Sequence, residues 1–578
     1  MKKLLTRITS LILALCAMVT FVGCGRSEDV IVNDGKTLNI RSTLAGYGVD
    51  WLYAMKGKFE TAYASEGYKV NILNPSNSVQ GQVVVNELYN GGNGVDLYFA
   101  GNVTIDMVTE ENSFGKTLVE DLTDIVYGKN PIGFDGKEES ITVKQKLKEG
   151  YFGLDYNNKY YGFPVLDGMQ GMVVNENKLD MYGYELPRTT DEMMAIFDSV
   201  MLGKGADGSK VGGPMDTLIY PHTFFSGSTM YPVVMFTTWY GQYLGNEDYK
   251  GLTNFEKEGC DSNWYLNEGY KIYEGAKEGV EEIMELAYRM FDVNYSTPGS
   301  SSQTADTANL KITTADEGAI FFSAGNWTIN EVKGKFPEEA KALRFINYPV
   351  LSIIGREAFG DVVADDAACD KVLSEVVKLV DEQKATADII SAIEDKFDVT
   401  VSESGVERVR EARLIYYCRG NGFSTYVTKN SPVKEIAAKF LRMLASDDAS
   451  ELLFNTIGVP SAYDKENNKT STFKFSEDSA KFANAAGATP IGGDSKGIAK
   501  KMAGGGVRVA YTDSYLQLRV ISDGASTPIT KWQKTPQGYV IAKPADGNKV
   551  YREAAEKLYK ENLNSIKEQW ATWADKVR

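Results

Sequence analysis

Histidine is almost absent. The 578-residue chain holds one, His222, together with five cysteines. A single imidazole excludes a His-rich metal centre and leaves one candidate base for any Ser-His or Cys-His pair. The cysteines, Cys16, Cys24, Cys260, Cys369 and Cys418, are too few and too widely spaced for a disulfide framework or a zinc site. Separate thiols are expected at the last three, with one Cys369–Cys418 bridge as the alternative. Basic residues are the minority, 62 against 78 acidic, giving net charge −16 and a pI of about 4.9. That balance speaks against nucleic acid and against holding an anionic membrane through a basic patch. No P-loop, H-E-x-x-H or C-x-x-C spacing occurs, and Asp464-x-Glu466-x-Asn468 lacks the Gly and terminal Glu of a calcium loop. No catalytic residue, metal or cofactor is assigned. A glycoside hydrolase would need two carboxylates at a fixed separation, and no motif marks such a pair.

Long apolar runs are also missing, except at the start. Lys2, Lys3 and Arg7 precede a run from Ile8 to Val22, the charged and apolar regions of a secretory signal. The run ends in Gly23-Cys24, which resembles the bacterial lipobox. Cys24 would then carry acyl chains and hold the protein at the outer face of the cell membrane. Residues 1–23 are read as signal peptide and 24–36 as a lipidated tether. The remainder is too long for one core, and its 43% hydrophobic content with 33 Tyr is that of a globular chain.

Strand and helix patterns alternate from Thr37. Thr37–Ser42, Tyr68–Leu73 and Val95–Ala100 read as strands. A helix from Asp50 carries Trp51, Met55, Phe59 and Tyr63 on one face, and a second covers Gln80 to Tyr89. This order predicts a parallel α/β sheet, with ligands meeting the loops at the strands' carboxyl ends. Those loops carry Tyr47, Asn74 and Asn102. The stretch Tyr160–Glu192 reads as a crossing strand, followed by a helix that starts at the capping-box pair Thr189 and Glu192.

Several segments, in order, resemble the extracellular solute-binding proteins of ABC importers that take up sugars and oligosaccharides. They are Asn90–Tyr98, Leu118–Asp124, Tyr160–Pro164, Val174–Leu179, Leu186–Glu192, Glu317–Trp327, Phe423–Pro432 and Gly458-Val459-Pro460. The resemblance implies an α/β fold of two lobes, with the ligand cleft between them and permease subunits as partners of a monomer. Lobe I would hold 37–163 and 347–462, and lobe II 164–346 and 463–578. Crossings are expected at Phe163-Pro164-Val165, at Asn347-Tyr348-Pro349 and after Pro460. Ser431-Pro432 should open a helix. Residues 360–413 depart from the family pattern and read as an inserted pair or trio of helices thickening one lobe.

A carbohydrate offers hydroxyls and flat apolar faces, so its site needs amides or carboxylates together with Trp or Tyr. The resemblance carries Trp239 and Trp327 over as stacking residues. Tyr240 and Asn326 adjoin them, and Asp167 and Gln170 lie on the expected cleft floor. A scaffold without a transport partner, or a receptor for peptide or another polar solute, are the alternatives.

Overall fold

The computed structural model describes residues 30–44, 46–110, 114–148, 159–166, 168–225, 230–254, 264, 267–418, 424–464, 489–491, 532–535, 538–541 and 549–577. The expected signal and Cys24, together with Asp167, Cys260 and the Asp464-x-Glu466 run beyond Asp464, fall outside them. Among the described residues no helix is long and apolar enough to cross a membrane.

The architecture is mixed α/β, built on two sheets. In the first, β1 (Thr37–Ser42) lies parallel to β2 (Lys69–Ile72) and to β3 (Leu97–Ala100). Between them run α1 (Asp50–Ala62) and α2 (Gly81–Tyr89). Strand β3 shows why the sheet needs cover on both sides. Leu97 and Phe99 point into one core with Trp51, Met55 and Phe59 of α1, while Tyr98 and Ala100 point into another with Val84, Val85 and Leu88 of α2. Both strand and helix periods were legible as such.

The second sheet is centred on β4 (Met169–Asn175), buried throughout. Helix α3 (Glu176–Met181) follows it, and then α4 (Thr190–Leu202). The capping box of α4 forms as expected: Thr189 Oγ1 accepts from Glu192 N at 3.1 Å, and Glu192 Oε2 accepts from Thr189 N at 3.3 Å. Strand β5 (Ile219–Thr223) pairs with β6 (Gly318–Gly325), and β6 pairs antiparallel with β4. On its other edge β4 takes β7 (Leu343–Ile346) beside residues 172–175, then β8 (Ile415–Cys418) beside Met169 and Gln170. The long helix α5 (Met230–Asn254), α6 (Lys277–Met290) and the carboxyl-terminal helix (Lys549–Val577) pack into the same core.

Two expectations need correction. The chain does not return to the first body at Asn347. Asn347 Nδ2 donates to Ile415 O at 2.9 Å, and Tyr348, Val350 and Leu351 are buried with Met172 and Val174. Residues 347–418, including the three inserted helices Asp366–Asp381, Thr386–Phe397 and Glu403–Leu414, stay with the second sheet. The return comes after Cys418, with β9 (Ser424–Val427) antiparallel to β3. Nor does Ser431 cap a helix. The helix runs Lys434–Leu444, and the Ser431 hydroxyl donates to Asp96 Oδ1 at 2.6 Å instead. That carboxylate also binds the Asn39 amide groups of β1, so it ties the turn to the sheet.

The segments expected to hold the other two crossings lie side by side. Phe163 N donates to Thr425 O at 3.0 Å, and Ala462 N donates to Val165 O at 3.2 Å. Leu166 bridges Ser461. Residues 163–166 therefore run beside both the return at 424–425 and the segment after Pro460. Cys369 is a free buried thiol, which excludes the Cys369–Cys418 bridge.

Candidate functional site

The two bodies meet where the loop after β1 reaches the end of β6. Gly46, at φ +81°, allows a close approach: the Cβ it lacks would lie 3.6 Å from Trp327 Cβ. Its N–H donates to Glu331 Oε1 at 3.1 Å. The other Glu331 oxygen accepts from Asn309 Nδ2 at 3.1 Å, and burial raises the carboxyl pKa. Next to Gly46, Tyr47 donates its hydroxyl to Asn326 Oδ1 at 3.3 Å. The Tyr47 ring meets Trp327 edge-on, with centroids 6.1 Å apart. Asn326 N in turn donates to Met169 O at the start of β4. Thus Tyr47 and the adjacent pair Asn326 and Trp327, picked from two segments of sequence, converge on one junction and are all buried.

Gln170 belongs to the same place. It sits directly opposite Gly325 in the β4–β6 ladder, so both residues face the same side of the sheet. A side chain on Gly325 would overlap the six-membered ring of Trp327, which occupies that space. The Gln170 side chain accordingly stands beside the indole. It is 1% exposed, and neither its Oε1 nor its Nε2 has a hydrogen-bond partner. A buried amide in that state costs about 1–3 kcal/mol per unsatisfied group, so it needs an explanation.

The other candidates lie elsewhere. Trp239, in α5, is fully buried; its Nε1–H donates to Pro349 O at 3.0 Å and its ring packs on Tyr348 at 5.8 Å. Tyr240 follows it into that core, beside Tyr273. The stacking role expected of Trp239 is therefore corrected: the apolar run around it builds a helix on the second sheet, and the fully buried indole spends its N–H there. Asn74 and Asn102 are exposed, just beyond β2 and β3. Asn102 donates to Gln80 Oε1 at 3.2 Å.

His222 lies within the second core among Phe197, Phe224 and Phe291, its Nε2 at 3.5 Å from Ser323 Oγ. Burial pushes its pKa down to about 3, so it stays neutral. A Gly493-x-Ser495-x-Gly497 spacing, that of a hydrolase nucleophile turn, falls outside the described residues. Among the described residues, no group of three or more His, Cys, Asp or Glu could hold a metal.

No family model matches the chain, and no curated protein matches it. Solved structures it resembles, at low identity, include oligosaccharide-binding proteins and a binding protein of an ABC transporter. A chitin oligosaccharide binding protein is 12% identical with TM-score 0.47, covering 92% of this chain and 100% of that one. A binding protein of an ABC transporter from Bifidobacterium animalis subsp. lactis, in complex with mannobiose, is 12% identical with TM-score 0.43, covering 96% and 98%. RafE from Streptococcus pneumoniae in its apo form is 11% identical with TM-score 0.45, covering 94% and 100%. At such distances the assignment of a site rests on this chain's own residues.

Proposed function

We propose that this protein is an extracellular receptor that captures a carbohydrate, an oligosaccharide in particular, and hands it to the permease of an ABC importer. The observation that carries the reading is the junction itself. An indole, a phenol and two amides from both sheets converge beside the crossing segments, which is the chemistry a sugar's faces and hydroxyls require. The two lobes are the bodies around the two sheets, hinged where residues 163–166 run beside the segment at 459–462. A ligand touching both would favour the closed arrangement by its differential affinity for it. Trp327 and Tyr47 supply the apolar faces, and Gln170 and Asn326 the polar groups. Asn74 and Asn102 lie at the rim, and Asp167, expected on the floor from its place in the sequence, lies outside the described residues. Acyl chains on Cys24 anchor a monomer at the cell surface.

A thermal-shift panel of glucose, galactose, mannose, maltotriose, raffinose and chitobiose tests the ligand class, since a ligand of the folded state raises Tm. A rise with at least one saccharide is expected. A rise with peptides and none with any sugar overturns the carbohydrate reading. Labelled palmitate should enter the wild-type protein in its bacterial host and be lost in Cys24→Ala; unchanged incorporation overturns the anchor.

A further inference from the structure

Three features of the junction bear on which sugars it accepts, and they are independent of one another. Gln170 lies on β4 with its side chain enclosed and both polar atoms unpartnered. Gly325, directly across the ladder, has no side chain, and the Trp327 ring fills the space beside the amide. Tyr47 and Asn326, by contrast, already share a hydrogen bond across the two bodies. Of the junction's polar side chains, the Gln170 amide is the one that folding leaves with both a donor and an acceptor unused. Resting on the carbohydrate reading above, we propose that Gln170 is the specificity-determining residue of this site: its Oε1 and Nε2–H engage two adjacent hydroxyls of a sugar ring lying against Trp327.

The chemistry matches. A primary amide presents one acceptor and one donor side by side, and each hydroxyl of a neighbouring pair can donate or accept. Discrimination then comes from the cost of leaving the amide unpaired. A saccharide lacking one of the two hydroxyls would close the site over a polar atom with no partner, and sites of this kind reject such analogues strongly. The enclosed position matters too, because an exposed amide would fall back on water and discriminate little. The strand also holds Gln170 rigidly: its neighbours Met169 and Met172 are buried in the two cores on opposite faces of the sheet.

The same unpaired amide makes a prediction that needs no ligand. Replacing it by an apolar side chain of similar volume should relieve the folded protein, so that function and stability pull in opposite directions at this residue. Gln170→Met and Gln170→Leu are compared with wild type by melting and by calorimetric titration. The titrant is the saccharide that gave the largest shift in the panel, alongside its ring-deoxy analogues. Both ligand-free variants should melt about 1–3 °C above wild type, and each should bind the saccharide at least roughly 30-fold more weakly. Wild type should distinguish the relevant deoxy analogue from the parent by at least about tenfold, and the variants should not.

A lower Tm in both variants would mean that buried water already satisfies the amide, and overturns the proposal. Unchanged saccharide affinity in Gln170→Met overturns it as well, while leaving the carbohydrate reading intact. A wild-type protein that binds no saccharide sinks both readings together.

Discussion

Trp239 and Trp327 are both tryptophans of the second sheet's body and both are buried, yet they differ in every other respect. Around Trp239 the indole and a neighbouring amide are paired locally: the indole N–H finds Pro349 O, Gln242 donates to Tyr348 O, and Leu351 N donates back to Gln242 Oε1. Around Trp327 the contacts cross from one body to the other, and one amide beside the ring is unpaired. Burial alone does not separate core from site. What separates them is whether folding finishes the hydrogen bonding, because a buried group left unpaired is held there against its own desolvation cost.

Breaking the comparison from the core side should give the largest effect. Trp239→Ala removes a fully enclosed side chain and its hydrogen bond, and should cost about 3–5 kcal/mol of stability. Saccharide affinity of the protein that remains folded should not change. Trp327→Ala should do the reverse, losing the ligand-induced shift while the fold survives. Titration at low temperature with a parallel melting curve checks both, and an affinity loss in folded Trp239→Ala would return that indole to the site.

A second prediction separates the two regions by pH. His222 has a folded pKa of about 3 against an ordinary value of 6.5. As pH falls below 6.5 the unfolded chain gains a proton that the folded chain refuses, so stability drops towards pH 3. Asp370 and Glu282, raised by burial to about 6 and about 7, act in the opposite sense and gain stability as pH falls through those values. The His222 contribution is therefore isolated by difference. Relative to its own value at pH 7, His222→Phe should be more stable than wild type by on the order of 2 kcal/mol at pH 5. Denaturant melts at the two pH values check it, and a difference that does not move with pH would mean the ring is protonated in place.

Local chemistry explains what the sequence disclosed. Thr189 and Glu192 form the box their spacing announced, and Thr189→Ala should cost about 1–2 kcal/mol because Asp370 also loses the Thr189 hydroxyl, 2.9 Å away. Thr189→Ser should recover most of it in the same melting assay. Ser431-Pro432 looked equivalent and was not, since a carboxylate 335 positions earlier in the chain takes its hydroxyl. The helices of the insertion were legible from Val372, Val376 and Val377, but periodicity does not name the surface that covers an apolar face. Asn347-Tyr348-Pro349 was expected as a crossing from the resemblance, and its bond to β8 has no local signature in the sequence. Tyr47, Asn326 and Trp327 could be chosen by residue type and strand position. Nothing local marked the Gln170 amide as unpaired, because that property belongs to three strands brought together.

The smallest effect tests where the site ends. Asn102 sits at φ +54°, a left-handed conformation that asparagine tolerates better than most residues, and its amide donates to Gln80 Oε1 on the exposed surface. Backbone geometry is thus a sufficient reason for an asparagine there. Asn102→Gly relieves the conformation and gives up one exposed hydrogen bond, so stability should change by less than about 0.5 kcal/mol. Asn102→Ala keeps the strain without the bond and should cost about 1 kcal/mol. If the site stops at the Tyr47–Trp327 junction, saccharide affinity is the same in both variants as in wild type. A tenfold loss in Asn102→Gly, with its melting curve unmoved, would instead extend the site to the strand ends of the first sheet. Trp327 and Gln170 would then be one wall of a longer groove, sized for more than one sugar ring.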